Sequence, residues 1–270
     1  MQEPWFIGSR LKIARANHHI FEFQAGLEKE ATNFDGYRIR LDRESDPVND
    51  ILEFQVTKTI NIIPLTLIAG DAIHNLRTAL DHLWMEIAIR IAGDKQNKQL
   101  TFPMHKTRLE LINTFNKASK KIRNAAPDIY DLIVNEIKPY EGGNLALWSL
   151  GQLDNIDKHR MPILVSSVQA LRGVSGRGTG PNASTTENCT YAIHGNSGKA
   201  EFFRPMSFPK TAEMEITNYG KPSFDIFFAE ETVFKGRYAL PLLRELSDLV
   251  FGVVNTIETH IQRREGSRER

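Results

Sequence analysis

The chain has 270 residues, of which 41% are hydrophobic and 25% charged, an ordinary globular composition that excludes general disorder. Thirty-four Lys and Arg against 33 Asp and Glu leave a formal charge of +1, so bulk positive charge gives no reason to bind nucleic acid. Only a local basic patch would supply one.

A lone cysteine, Cys189, excludes an internal disulfide and points to a reducing, cytoplasmic setting. It has no basic neighbour to activate it, so an idle thiol is expected rather than a nucleophile. The first residues lack a basic head followed by an apolar run, so no signal peptide is expected. The most apolar stretch, 60–70, is about half of what a bilayer requires and holds Asn61 and Pro64. No membrane partner is expected.

Taken in chain order, Ser9 to Glu30 reads as a helix with Leu11, Ile13, Ala14, His18, Phe21 and Leu27 along its apolar stripe. Tyr37, Ile39 and Leu41, then Leu52, Phe54 and Val56, alternate with polar residues across an Asp-Pro turn region, which predicts a hairpin with one buried face. The strongest helix runs from Pro64 to Ala92, with Pro64 suited to its first turn and Gly93 to its end. Thr107 to Asn124 reads as one basic amphipathic helix. A short helix from Pro127 to about Pro139 and an apolar one from Asn144 to Asn155 follow.

Beyond Met161 the pattern becomes β-rich. Short strands are expected over 190–194, 201–204, 213–217 and 223–228, with 173–184 as a mobile Gly/Ser/Asn loop. Helix returns from Arg237 to Arg263 through Leu240, Leu243, Leu246, Leu249, Val250, Val253 and Ile257. The expected class is α+β and mainly helical: an antiparallel helical bundle with a β-rich insertion before the C-terminal helix. The bundle is 1–161 plus 237–264 and carries the hairpin, 162–236 is the insertion, and 265–270 is a flexible tail.

Two polar constellations stand out. On the strong helix, Asp71, His74, Asn75, Thr78, Asp81 and His82 share one face, while Ile73, Leu76, Ala79, Leu80, Leu83 and Ile87 share the other. A face with two Asp, two His and no Lys suits hydrogen bonding, proton transfer or metal ligation better than solvation alone. The plainer account is bridging, with Arg77 to Asp81 and His74 to Thr78 at i,i+4. The second constellation, Asp154, Asn155, Asp157, Lys158, His159 and Arg160, falls where a helix ends and the β stretch begins. There scaffold-held loops often carry chemistry, although basic residues also suit a helix C-terminus through its dipole. Packing is expected to bring Asp157, His159 and Arg160 near Asp71, His74 and His82.

The paired motifs GDAIHNLRTALDH at 70–82 and LDNIDKHR at 153–160 resemble a family of uncharacterised bacterial proteins, a likeness covering about 64–165 that implies no activity. More remotely, Arg77-x4-His82 is similar to the Arg-x4–6-His signature of HEPN domains, helical bundles that include metal-independent ribonucleases and non-catalytic modules. That similarity implies a homodimer acting on RNA without a cofactor. Arg77 would stabilise phosphate charge and His82 would move a proton as the RNA 2′-hydroxyl attacks. On that reading Arg77, His82, His74, Asp81 and His159 form the catalytic set, and Asp71, Asn75, Asp157, Lys158 and Arg160 bind substrate, with no metal. Arg77 and His82 stand about 140° apart on an ideal helix, so joint action needs a partner helix or a local distortion.

Basic support would come from Lys117, Lys120, Lys121 and Arg123 on one helix and from Arg172, Arg177 and Lys199 around the insertion, without clustered aromatics for base stacking. Two alternatives remain beside the ribonuclease. One is a metal enzyme with His74, His82 and Asp71 joined by Asp157 or His159 and by His18 or His19. The other is a non-catalytic interaction module. The sequence lacks a Walker loop, a dinucleotide Gly-x-Gly-x-x-Gly and a Gly-x-Ser-x-Gly elbow, which removes several common enzyme classes.

Overall fold

The computed structural model describes residues 4–58, 60–94, 100–159, 163–181, 183–192, 202–229 and 232–268. The protein is α+β and divides into two compact units. Unit 1 comprises 1–24, 65–163 and 228–270, and unit 2 comprises 25–64 and 164–227.

Unit 1 is helical. Helix α1 (Ile7–Asn33), whose part up to Gln24 belongs to this unit, buries Ile13, Ala16, Ile20 and Phe23. This corrects the expected stripe, because Leu11 and Phe21 are 66% and 68% exposed. Two apolar rows share the helix, and the row interrupted by the small Ala16 is the one that packs. Helix α2 (Ile63–Arg90) takes Pro64 in its first turn, and Gly93 follows at φ +64, which a glycine adopts without strain. Its apolar face is as expected: Ile73, Leu76, Ala79, Leu80, Leu83 and Ile87 are all fully buried.

The single helix expected over 107–124 is two. Thr107 and Glu110 close a capping box at the start of α3 (Arg108–Asn116), and Lys117 leaves helical geometry at φ −119 and ψ −92. The chain then re-enters α4 (Lys120–Ala125). Pro127 opens α5 (Pro127–Asp131), which runs into a π-turn over Leu132–Ile137 and stops at left-handed Lys138 before Pro139. Trp84 meets Phe102 and Phe115 edge to face at centroid separations of 5.9 and 5.6 Å, and Phe115 meets Tyr130 in the same way at 4.9 Å, which knits α2 to α3 and α5.

Helix α6 (Leu145–His159) runs four residues past its expected end at Asn155. Helix α7 (Ala239–Arg268) absorbs 265–268, so the expected tail is helical as far as it is described. It meets α1 through the Arg10–Glu258 ion pair and a 2.6 Å hydrogen bond from Ser247 to Asn17. Among the described residues, no helix is long and apolar enough to cross a membrane.

Unit 2 holds two three-stranded sheets. The hairpin forms, with β1 (Tyr37–Asp42) antiparallel to β2 (Asn49–Val56) and Tyr37, Ile39 and Leu41 opposite Val56, Phe54 and Leu52. The single buried face expected of it is corrected, because β2 buries Asp50 to Phe54 on both faces. Strand β2 also pairs with β5 (Phe202–Pro209), so the hairpin belongs with the β unit and the domain boundaries expected from sequence are corrected. The second sheet has the order β4-β3-β6, from β3 (Leu164–Gly178), β4 (Thr185–Ala192) and β6 (Met214–Phe228).

The first part of the expected loop at 173–184 is therefore strand. Register shifts between Arg172 and Val174 and between Val174 and Gly176 spread its glycines over bulges, and Gly173 takes φ +81. Leu52, Phe54, Phe208, Leu171, Val174 and Phe224 form the core shared by the two sheets. Glu53, 3% exposed at its side chain, holds Arg40 at 2.8 Å on one carboxylate oxygen and Arg204 at 3.1 Å on the other.

Candidate functional site

The polar face of α2 meets α6 within unit 1. Extending α6 by a turn puts Asp154 and Asp157 three residues apart on a helix, hence on one side of it. Asp154 sits 2.9 Å from His74 Nδ1, with side-chain exposures of 6% for the aspartate and 50% for the histidine. The other ring nitrogen, Nε2, lies 3.5 Å from Thr78 Oγ1, too long for a strong bond. Asp157 places its carboxylate against the backbone of Gly70, in the space that a Cβ there would need. The two constellations meet through these two contacts, with Asp154 rather than Asp157 at His74 and Asp157 at Gly70.

Around them, Asn75 is nearly buried, donates from Nδ2 to the Asp71 carbonyl at 2.8 Å and accepts from Lys12 Nζ at 3.3 Å. Asp71 is exposed. A buried carboxylate beside a half-exposed imidazole is the arrangement that fixes a histidine's tautomer and orientation for proton transfer. If Nδ1 donates to Asp154, Nε2 is left with its lone pair.

Arg77 and Asp81 are engaged elsewhere. The Arg77 side chain is 14% exposed, and its Nη2 lies 3.1 Å from Asp81 Oδ1 and donates to the Phe102 carbonyl at 3.1 Å. Asp81 Oδ1 in turn accepts the Phe102 N–H at 2.8 Å. The bridging expected between Arg77 and Asp81 is present, and it clasps both polar groups of one backbone residue. Burial pushes the Arg77 pKa down, against the opposing pull of Asp81 and Asp154.

His82 is exposed and turns to a third set of neighbours, with its ring against Gly8 and beside Ile7, Met85 and Ile89. Among the described residues no hydrogen bond or ion pair joins Arg77 to His82, as their angular separation on α2 anticipates. Lys158 and His159 lie on the last turn of α6, but their side chains, like the whole of Arg160, fall outside the described residues. Among the described residues, no group of three or more His, Cys, Asp or Glu has the geometry to hold a metal.

Asp154 belongs to the second constellation but has no assigned role in the expected catalytic and substrate-binding sets, and it is the carboxylate that His74 meets. Its signal was the i,i+3 spacing to Asp157, readable only once α6 is carried through His159. Compared with protein-family models, with curated proteins and with solved structures, the chain matches none.

Proposed function

We propose that the α2–α6 face is a proton-transfer site and that its substrate is RNA. The observation that carries the chemistry is the 2.9 Å contact of half-exposed His74 with buried Asp154. In this reading Asp154 holds Nδ1–H, and His74 Nε2 takes the proton from a ribose 2′-hydroxyl. The 2′-oxygen bonds to the adjacent phosphorus while the bond from phosphorus to the 5′-oxygen breaks. That leaves a 2′,3′-cyclic phosphate and a 5′-hydroxyl, whose proton comes from water. Lys12, held at Asn75, supplies positive charge beside an acidic face. RNA as substrate and a homodimer rest on the HEPN resemblance of Arg77-x4-His82, an antiparallel bundle on the helical patterning, and a cytoplasmic setting on the lone Cys189. Arg77 and His82 take no part in this step within one chain.

The test is cleavage of labelled single-stranded RNA by the full chain in chelator-containing buffer, with a 2′-deoxy substrate as control. Cyclic-phosphate ends, and a loss of roughly 100-fold or more in His74→Ala and in Asp154→Asn, are expected. Intact RNA, or equal rates in the variants, refutes the reading.

A second reading is favoured by the Asp157–Gly70 contact: the carboxylates lock α6 onto α2 and the face is an interaction module. It predicts that His74→Ala lowers the melting temperature and has no catalytic consequence.

A further inference from the structure

Away from His74, a cavity of about 320 Å³ opens among α2, the 100–105 segment and the α3–α4 junction. Arg77, Phe102, Met104, His105, Ala118 and Ser119 contribute to its wall. Its size falls at the lower end of small-molecule pockets, about 300–1,000 Å³.

Two of these side chains have an unmet polar atom. Arg77 commits Nη2 to Asp81 and Phe102, while Nη1 is buried with no partner among the described residues. Ser119 is 1% exposed and its Oγ is likewise without a partner. Although Ser119 precedes α4, its hydroxyl caps no backbone N–H there. Buried guanidinium and hydroxyl groups are nearly always satisfied in folded proteins, and a guanidinium can be satisfied only by an acceptor.

The rest of the wall is selective. Phe102 is 1% exposed and offers a ring, and half-buried Met104 is unbranched and adaptable. His105 has Nε2 2.8 Å from Thr114 Oγ1, and burial lowers its pKa, so near neutral pH it adds polarity without charge. The unmet guanidinium nitrogen of Arg77 and the unmet hydroxyl of Ser119, with Phe102 and Met104 beside them, describe a receptor for a single anionic head on a compact apolar body.

We propose that this cavity binds a small organic oxyanion, its carboxylate or phosphate head meeting Arg77 Nη1 and Ser119 Oγ and its body lying against Phe102 and Met104. Neither polar atom touches solvent, so the head reaches them by a side-chain adjustment in the wall. The site is independent of the proton-transfer reading, since no residue of the His74–Asp154 pair lines it.

The experiment titrates the full chain with phenyl phosphate, with benzoate and with inorganic phosphate, by calorimetry and thermal unfolding. Saturable binding of phenyl phosphate or benzoate, with a rise of a few degrees in melting temperature at large excess, is expected. Inorganic phosphate, lacking the body, should bind at least tenfold more weakly than phenyl phosphate. Tenfold preference between the two organic probes assigns the head as phosphate or carboxylate. Ser119→Ala removes only an unpartnered atom, so it should fold as the parent does and bind about tenfold more weakly. Ala118→Trp, at an exposed position on the rim, should abolish binding. Failure of both organic probes to bind below about 10 mM, or unchanged binding in Ser119→Ala, overturns the proposal. Equal stabilisation of parent and Ala118→Trp by every anion overturns it as well, as a nonspecific salt effect.

Discussion

The carboxylate of Asp157 lies where a side chain on Gly70 would have to stand, so the identity of one residue on α2 sets how closely α6 can approach. Replacing a helical glycine by alanine ordinarily stabilises by about 1 kcal/mol. At this position the added Cβ meets the carboxylate, and Gly70→Ala should instead lower the melting temperature. Combining it with Asp157→Ala should restore much of the loss, and a double-mutant cycle by thermal unfolding measures that coupling. Additive effects would show that the two residues do not constrain each other.

The clasp on Phe102 predicts a different signature. Arg77→Met removes the donor to the Phe102 carbonyl and the cation beside Asp81, and should cost about 2 kcal/mol in denaturant unfolding. Arg77→Lys should recover only part, because an ammonium cannot reproduce the planar fork. Amide exchange at Phe102, whose N–H is held by Asp81, should accelerate in both variants and in Asp81→Ala.

His105 predicts a pH dependence. Burial holds its pKa below the ordinary value of 6.5, with Glu110 opposing weakly, so the unfolded chain takes up this proton more readily than the folded one. The contribution of neutral His105 is complete above about pH 6.5 and is lost as pH falls through that value toward the depressed folded pKa. Thermal unfolding between pH 7.5 and 5 should therefore show a decline that His105→Gln makes shallower. An identical slope in the variant would remove His105 as its source.

In unit 2, Glu53 is buried while Arg40 and Arg204 are 63% and 53% exposed, so the two sides of this triad are not equivalent. Glu53→Met frees two arginines that water can solvate, and should cost little. Arg40→Ala with Arg204→Ala strands a buried carboxylate and should cost clearly more than Glu53→Met does. Urea unfolding compares them, and a larger loss in Glu53→Met would contradict this account.

Much of the local structure was legible from periodicity. The hairpin follows from alternation, which sets Ile39 and Leu41 on the same side as Phe54 and Leu52, while the register that pairs them is fixed by the fold. The apolar face of α2 follows in the same way. Periodicity failed where two readings satisfied it equally: α1 carries two apolar rows, and the one bearing Leu11 and Phe21 is exposed. Glycine density misled at 173–178, because a bulged strand and a loop use glycine for the same backbone freedom.

The sequence by itself determined that α2 has a polar face of unusual composition and that a second polar segment lies about eighty residues on. Tertiary structure alone decided the partners: His74 with Asp154, Arg77 with Phe102, His82 with Gly8. Spacing along a helix fixes the direction in which each side chain leaves the axis. What it meets there depends on elements brought alongside by packing, and on where α6 ends.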